Sequence, residues 1–328
     1  MSDSPKIVIL DGYTINPGDN PWSPIESLGS CTVYDRTPAE LKIERAKDAE
    51  IVLTSKCKLD AATLEALPRL RYISLLATGF NNVDVAAAGR LGIPVSNVPA
   101  YSTESVVQTA FALLLELAVA VGMHDASVKA GDWVRCPDHA YWKQSIIELD
   151  GLTLGIVGYG TIGRAMARVG AAFGMRIIAY APRRPQDPGT VPVHFVSLDE
   201  LFATADVVSL NCPQTPENEG FVNNSLLSLM KPSAYLINVA RGGLVNEADL
   251  AAALHRRVIA GAGLDVVAHE PMSADNPLLG APNCVFTPHI AWASLAARKR
   301  LMSIVSANVT SYLSGKPVNL VNGGYFLQ

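Results

Sequence analysis

The sequence predicts an α/β protein made of two doubly wound domains with parallel sheets. Three observations carry this. A glycine-rich turn, Gly158-Tyr159-Gly160-Thr161-Ile162-Gly163, stands near mid-chain directly after the apolar run 154–157. Short β-branched runs recur in two separate series with helix-prone stretches between them, the alternation that yields parallel sheets. The chain has 328 residues, 49% of them hydrophobic, which is enough for two ordinary cores. A strand–turn–helix of this kind opens its domain, so its late position requires another domain in front.

The first series comprises 7–10, 51–54, 72–75 and 94–96. A helical pattern then begins near Ser102, and its apolar residues continue to Met123. It reads as one long helix and a hinge between lobes. Residues 131–144 form an aromatic-rich loop. The second series, 154–157, 176–180, 207–210, 234–238, 259–263 and 285–287, supplies six strands, with a helix-prone segment at 164–173 after the first. A last helix is expected over 294–313. The tail 315–322 carries Gly and Pro signals of an extended segment that returns to the first lobe. No internal repeat or low-complexity tract is present.

A net charge of −4, with no basic tail or run of like charges, argues against nucleic-acid and membrane-surface partners and leaves small molecules and other subunits. Cys31, Cys57, Cys136, Cys212 and Cys284 show no CxxC spacing, so they read as free thiols in a reducing compartment, with no zinc or other metal site. Residues 1–6 are polar and lack the apolar core of a signal peptide, and the apolar stretch 110–121 is interrupted by Glu116 and too short to span a bilayer. A cytoplasmic protein is expected.

Within the turn, Gly158 permits a tight exit from a buried strand, Gly160 lets backbone approach a pyrophosphate, and Gly163 lets the following helix pack closely. The helix N-terminus then faces the anion. A site that prefers NAD ends its second strand with an acid that binds the ribose hydroxyls. Here Tyr180 is followed by Ala181-Pro182-Arg183-Arg184. The acid is missing, and the two cations suit a 2'-phosphate, so NADP(H) is expected in preference to NAD(H). As plain solvated loop charges, Arg183 and Arg184 would select neither.

Further motifs carry a resemblance. Asn97-Val98-Pro99, Leu210-Asn211-Cys212-Pro213 with Thr215-Pro216, Asn238-Val239-Ala240-Arg241-Gly242, Gly263-Leu264-Asp265-Val266 with Glu270-Pro271, Thr287-Pro288-His289 and Gly315-Lys316-Pro317 are spread over nearly the whole chain. Together with the glycine turn they resemble the D-isomer-specific 2-hydroxyacid dehydrogenases. Asp11-Gly12-Tyr13-Thr14, Tyr141-Trp142 and His289-Ile290-Ala291-Trp292 resemble the glycerate dehydrogenases, or hydroxypyruvate (glyoxylate) reductases, within that family. The resemblance implies two Rossmann-like domains: a discontinuous substrate-binding domain of 1–100 plus 290–328, and a dinucleotide-binding domain of 101–289. It implies an active site in the cleft and a homodimer joined through the nucleotide-binding domains.

The chemistry follows from residue types. Hydride transfer to a 2-oxo acid leaves an alkoxide that needs a proton and a carboxylate that needs an anchor. His289 is the candidate acid, because imidazole exchanges protons near neutral pH, and the resemblance makes Glu270 its carboxylate partner. Arg241, after a buried strand, can hold the substrate carboxylate with two hydrogen bonds and polarise the carbonyl. Backbone N–H groups of Ala77-Thr78-Gly79 are expected to help, although a plain tight turn would look similar. By resemblance Asp265 binds the nicotinamide carboxamide, with a turn cap as its bland alternative. Cys212, Pro213, Thr215, Val239, Ala240 and His289 are placed along the cofactor. Trp142 and Trp292 are candidate walls that favour small substrates such as hydroxypyruvate or glyoxylate, unless they serve only packing. Two rivals share these residues: a dehydrogenase of another small anion, formate or phosphite, and a corepressor-like protein that senses the nicotinamide redox state.

Overall fold

Five parallel strands build the first sheet: β1 (Lys6–Ile9), β2 (Ser30–Val33), β3 (Ile51–Thr54), β4 (Tyr72–Leu75) and β5 (Val95–Ser96), in the order β2-β1-β3-β4-β5. They belong to one of two compact units of this computed structural model, Met1–Ser102 with Ala293–Gln328; the other unit is Thr103–Trp292. The structure describes residues 4–326, so residues 1–3 and 327–328, assigned above to the first lobe, lie outside the described residues. β3 and β4 are buried along their whole length, as strands covered on both faces must be. β2 is absent from the sequence reading. It is a half-exposed edge strand, Ser30-Cys31-Thr32-Val33, whose alternation leaves no continuous apolar run to recognise.

The chain's tail runs along β5. The Asn97 and Val321 N–H groups donate to Asn319 O and Val95 O at 3.1 and 2.8 Å, and buried Asn322 accepts from Val95 N and donates to Ile93 O. The helix Leu295–Leu313, capped by Ser294, stacks Tyr312 on Tyr72 with ring centroids 4.2 Å apart. Its Arg298, only 7% exposed, donates two bonds to the carboxylate of Asp19 at 2.5 and 2.6 Å and others to Ala293 O and Ile15 O. The Arg298 hydrogen bonds hold the Asp19 carboxyl below its ordinary value. Stability from a lowered carboxyl is present above the ordinary carboxylate range and is lost as pH falls through the folded-state value. Thermal melts of Asp19→Asn from pH 7 down to pH 2 should therefore show a shallower acid limb than the parent protein. Identical limbs would count against this role.

The second unit contains β6 (Thr153–Val157), β7 (Arg176–Tyr180), β8 (His194–Phe195), β9 (Val207–Leu210), β10 (Tyr235–Asn238), β11 (Gly261–Leu264) and β12 (Cys284–Phe286). All are parallel, in the order β12-β11-β10-β9-β6-β7-β8. Strand order reverses between β6 and β9, which is the topological switch point of a Rossmann sheet. The sheet has seven strands rather than the expected six. The seventh, β8, is a two-residue edge strand too short to carry a pattern.

The expected long helix at 102–123 is also corrected. Ala120 adopts a left-handed backbone at φ +52°, which divides the stretch into helices Thr103–Val119 and Val121–Lys129 bent by 56°. The Glu116 carboxylate accepts the Gly122 N–H at the start of the second helix. The apolar pattern hides the break because Val121 and Met123 continue it while lying exposed. The first helix packs Leu113 and Leu117 onto β11, where a side chain at Gly263 would meet Leu113 Cβ at 2.8 Å. Among the described residues no single helix is long and apolar enough to cross a membrane.

Candidate active site

The glycine turn sits at the switch point. Gly158 has φ +93°, and a Cβ there would lie 2.7 Å from Cys212 N, so both its conformation and its contact with the end of β9 exclude a side chain. A Cβ on Gly163 would lie 2.2 Å from Gly158 O, which measures how closely the helix Thr161–Ala172 packs on β6. At Gly160 the opposite holds, since nothing lies within 4 Å of the Cβ position. Gly160 is the N-cap and supplies no side-chain cap, and no acidic residue occupies the first turn at Thr161 and Ile162. Open space before uncapped N–H groups fits a dinucleotide pyrophosphate. Tyr159 is buried, with its hydroxyl donating to Pro188 O at 3.3 Å.

Past β7, Ala181 is half-buried, and Arg183 and Arg184 are exposed. The Arg184 guanidinium lies 5.4 Å from the centroid of the Phe195 ring. At the end of β9, burial pushes the Cys212 thiol up, so it stays protonated and is a poor nucleophile. Thr215 caps the short turn Pro216–Asn218. Its N–H donates to Asn218 Oδ1 at 2.7 Å while Asn218 Nδ2 reaches Pro213 O at 2.9 Å, so this segment is stapled internally.

Arg241 follows β10 on a loop that its own strand secures. Buried Asn238 accepts from Ala240 N at 3.0 Å and donates to Arg241 O at 2.8 Å, bracketing Val239 and Ala240. A Cβ on Gly242 would lie 1.9 Å from Val267 C, so the Arg241 loop abuts the loop that carries Glu270. The Arg241 side chain is exposed and donates to Ala240 O at 2.7 Å.

His289 and Glu270 are bonded directly, with Nδ1 2.5 Å from Oε2. Glu270 Oε1 accepts from Val267 N at 3.4 Å, and Glu247, at the start of a helix, takes the Ala268 N–H at 2.8 Å and the Asn276 amide at 2.9 Å. The ring's other nitrogen, Nε2, makes no hydrogen bond among the described residues. His289 has φ +54°, a conformation few non-glycine residues adopt. Asp265 holds it there. Its carbonyl accepts His289 N at 2.7 Å, and its carboxylate, 2% exposed, accepts Thr287 Oγ1 at 2.6 Å, Ile290 N at 2.9 Å and Ala291 N at 3.0 Å. Burial pushes the Asp265 carboxyl up, and these donors with nearby His289 pull it back.

Trp142 is 68% exposed, beside Tyr141 whose hydroxyl meets Ser127 Oγ at 2.9 Å, and Trp292 is half-buried. In the first unit, Thr78 donates its hydroxyl to Val98 O at 2.6 Å and accepts Asn97 Nδ2 on its carbonyl at 2.7 Å, while Ala77 O accepts Val98 N. This pins the segment that ends in Gly79. Asn238 and Glu247 escaped the sequence reading as loop anchors. An Asn ending a buried strand just before the Arg loop was the available signal.

The family model for D-isomer specific 2-hydroxyacid dehydrogenase, NAD binding domain, matches residues 111–291. The chain belongs to that family. It is an NAD(P)-dependent oxidoreductase acting on 2-hydroxy and 2-oxo acids. Hydroxypyruvate reductase of Blautia hydrogenotrophica is 47% identical to it over 97% of this chain and 99% of the relative. Glycerate dehydrogenase of Methylorubrum extorquens is 40% identical, over 87% and 89%. Among solved structures, the NADPH-dependent glyoxylate/hydroxypyruvate reductase of Sinorhizobium meliloti in complex with NADP and malonate superposes with a TM-score of 0.84 at 30% identity, covering 97% of each chain. These matches do not favour the formate, phosphite or corepressor alternatives.

Proposed function

We propose that the protein reduces a small 2-oxo acid, hydroxypyruvate or glyoxylate foremost, to its D-2-hydroxy acid and runs the reverse reaction, with NADP(H) preferred to NAD(H). The 2.5 Å pairing of His289 Nδ1 with Glu270 carries the reading. It orients the imidazole, so Nε2 can give a proton to the carbonyl oxygen in reduction and take it back in oxidation. Arg241 grips the substrate carboxylate, helped by backbone N–H groups of Ala77, Thr78 and Gly79. A nicotinamide held on the glycine turn would supply or accept the hydride. Of the four or so acceptor positions on the Asp265 carboxylate, three are taken by its own loop, and we assign the remaining one to the carboxamide. Trp142 and Trp292 are proposed to limit substrate size.

The cofactor preference rests on the missing acid after β7 and on Arg183, the freer of two cations because Arg184 lies over Phe195. The exposed apolar side chains Val121, Val134, Trp142 and Ile146 suit contact with a second copy of the chain, and five free cysteines suit the cytoplasm. Steady-state rates on glyoxylate, hydroxypyruvate, pyruvate and longer 2-oxo acids, each with NADPH and NADH, test the proposal. The short acids with NADPH should give the highest kcat/KM. Equal or better efficiency with NADH would overturn the cofactor preference, and a maximum on long 2-oxo acids would overturn the substrate assignment.

A further inference from the structure

The first sheet carries an organised element at its carboxyl edge, built around Asp11. This residue follows β1, and its carboxylate accepts four hydrogen bonds from the end of the neighbouring β3 and the segment after it: Thr54 Oγ1 at 3.1 Å, Ser55 N at 2.8 Å, Lys56 N at 2.5 Å and Cys57 N at 2.8 Å. Four donors on one carboxylate fix the backbone of 55–57. Thr54 pairs with Leu75, so Lys56 and Ala77 lie equally far beyond paired strands that run about 4.8 Å apart. Asn82 ties the two loops together, donating to Cys57 O at 3.2 Å and accepting Leu59 N at 2.8 Å. Lys56 is exposed, and its ammonium makes no ion pair among the described residues, whereas nearby Lys42 is spent on Lys58 O and Asp60.

We propose that Lys56 is a specificity-determining residue, its ammonium receiving a hydroxyl or carboxylate on C3 of the 2-oxo acid. This rests on the reading that the 77–79 backbone helps hold the substrate's own carboxylate. A rigid ledge with N–H donors on one loop and a cation on the next suits an acid with a second oxygen group two carbons away. A solvated lysine needs no carboxylate clamping its backbone from a neighbouring strand. Glyoxylate, which has no C3, gains nothing from Lys56. Pyruvate has only a methyl group there.

Lys56→Met and Lys56→Arg, assayed with NADPH on glyoxylate, pyruvate, hydroxypyruvate and oxaloacetate, test this. Lys56→Met should lose about 10- to 100-fold in kcat/KM on hydroxypyruvate and oxaloacetate, the range for a hydrogen bond to a charged group. Its rates on glyoxylate and pyruvate, which also report correct folding, should stay near those of the parent, and Lys56→Arg should recover most of the loss. Equal losses on all four acids, or none on any, would overturn the role of Lys56 while leaving the reductase reading intact. A parent protein inactive on all four would overturn that reading and this one with it.

Discussion

Replacing His289 with asparagine is expected to lower kcat by about 10²- to 10⁴-fold, the usual contribution of a positioned proton donor. Asparagine is the informative substitution because position 289 has φ +54°, and Asn tolerates the left-handed region better than other non-glycine residues. The backbone N–H that donates to Asp265 O is retained, as are the Ile290 and Ala291 bonds to the Asp265 carboxylate. The loop therefore keeps its shape while the imidazole is lost. NADPH affinity, read by fluorescence titration, should change far less than kcat, so the main defect lies in proton transfer. Glu270→Gln keeps an acceptor for Nδ1 but not the charge, and its kcat should fall between those of His289→Asn and the parent. A His289→Asn enzyme within tenfold of the parent at saturating substrate would sink the assignment.

Arg241→Ala is expected to cost about 3 to 6 kcal/mol in kcat/KM, the sum of two hydrogen bonds to a charged group, or on the order of 10²- to 10⁴-fold. The loss should appear in both kcat and KM, since the guanidinium binds the carboxylate and polarises the reacting carbonyl. Arg241→Lys restores the charge but not the planar fork, so it should recover part of KM and little of kcat. Folding should be indifferent to either change. The side chain is exposed, and the loop is held by Asn238 and by the contact of Gly242 with Val267. A normal kcat/KM for Arg241→Ala would remove the anion anchor from the proposal. A drop in melting temperature would show that the side chain serves the loop instead.

The legible parts of this chain were those governed by local rules. Gly158 and Gly163 stand where a positive φ or a close approach excludes a Cβ, so their spacing announced the turn. β3, β4 and β9 are buried throughout, so their apolar runs stood out. Edge strands β2 and β8 carry no such run. The break at Ala120 was invisible because exposed apolar residues prolong the helical pattern beyond it. Asp265 was read for its cofactor role, yet three of its carboxylate's bonds go to its own protein's loop.

By itself, then, the sequence determined the parallel α/β architecture and the place of the dinucleotide turn, each of which depends on residue type beside its immediate neighbours. It offered His289 as acid and Arg241 as anion holder on residue type and setting, and Glu270 as partner only through the family resemblance. Only the tertiary structure decided that Glu270 meets His289 across 19 residues, that Asp265 locks His289 into a left-handed backbone, and that Asp11 clamps a loop 44 residues away. Those contacts arise where parallel strands end side by side, and no periodicity along the chain encodes which loops the sheet order makes neighbours.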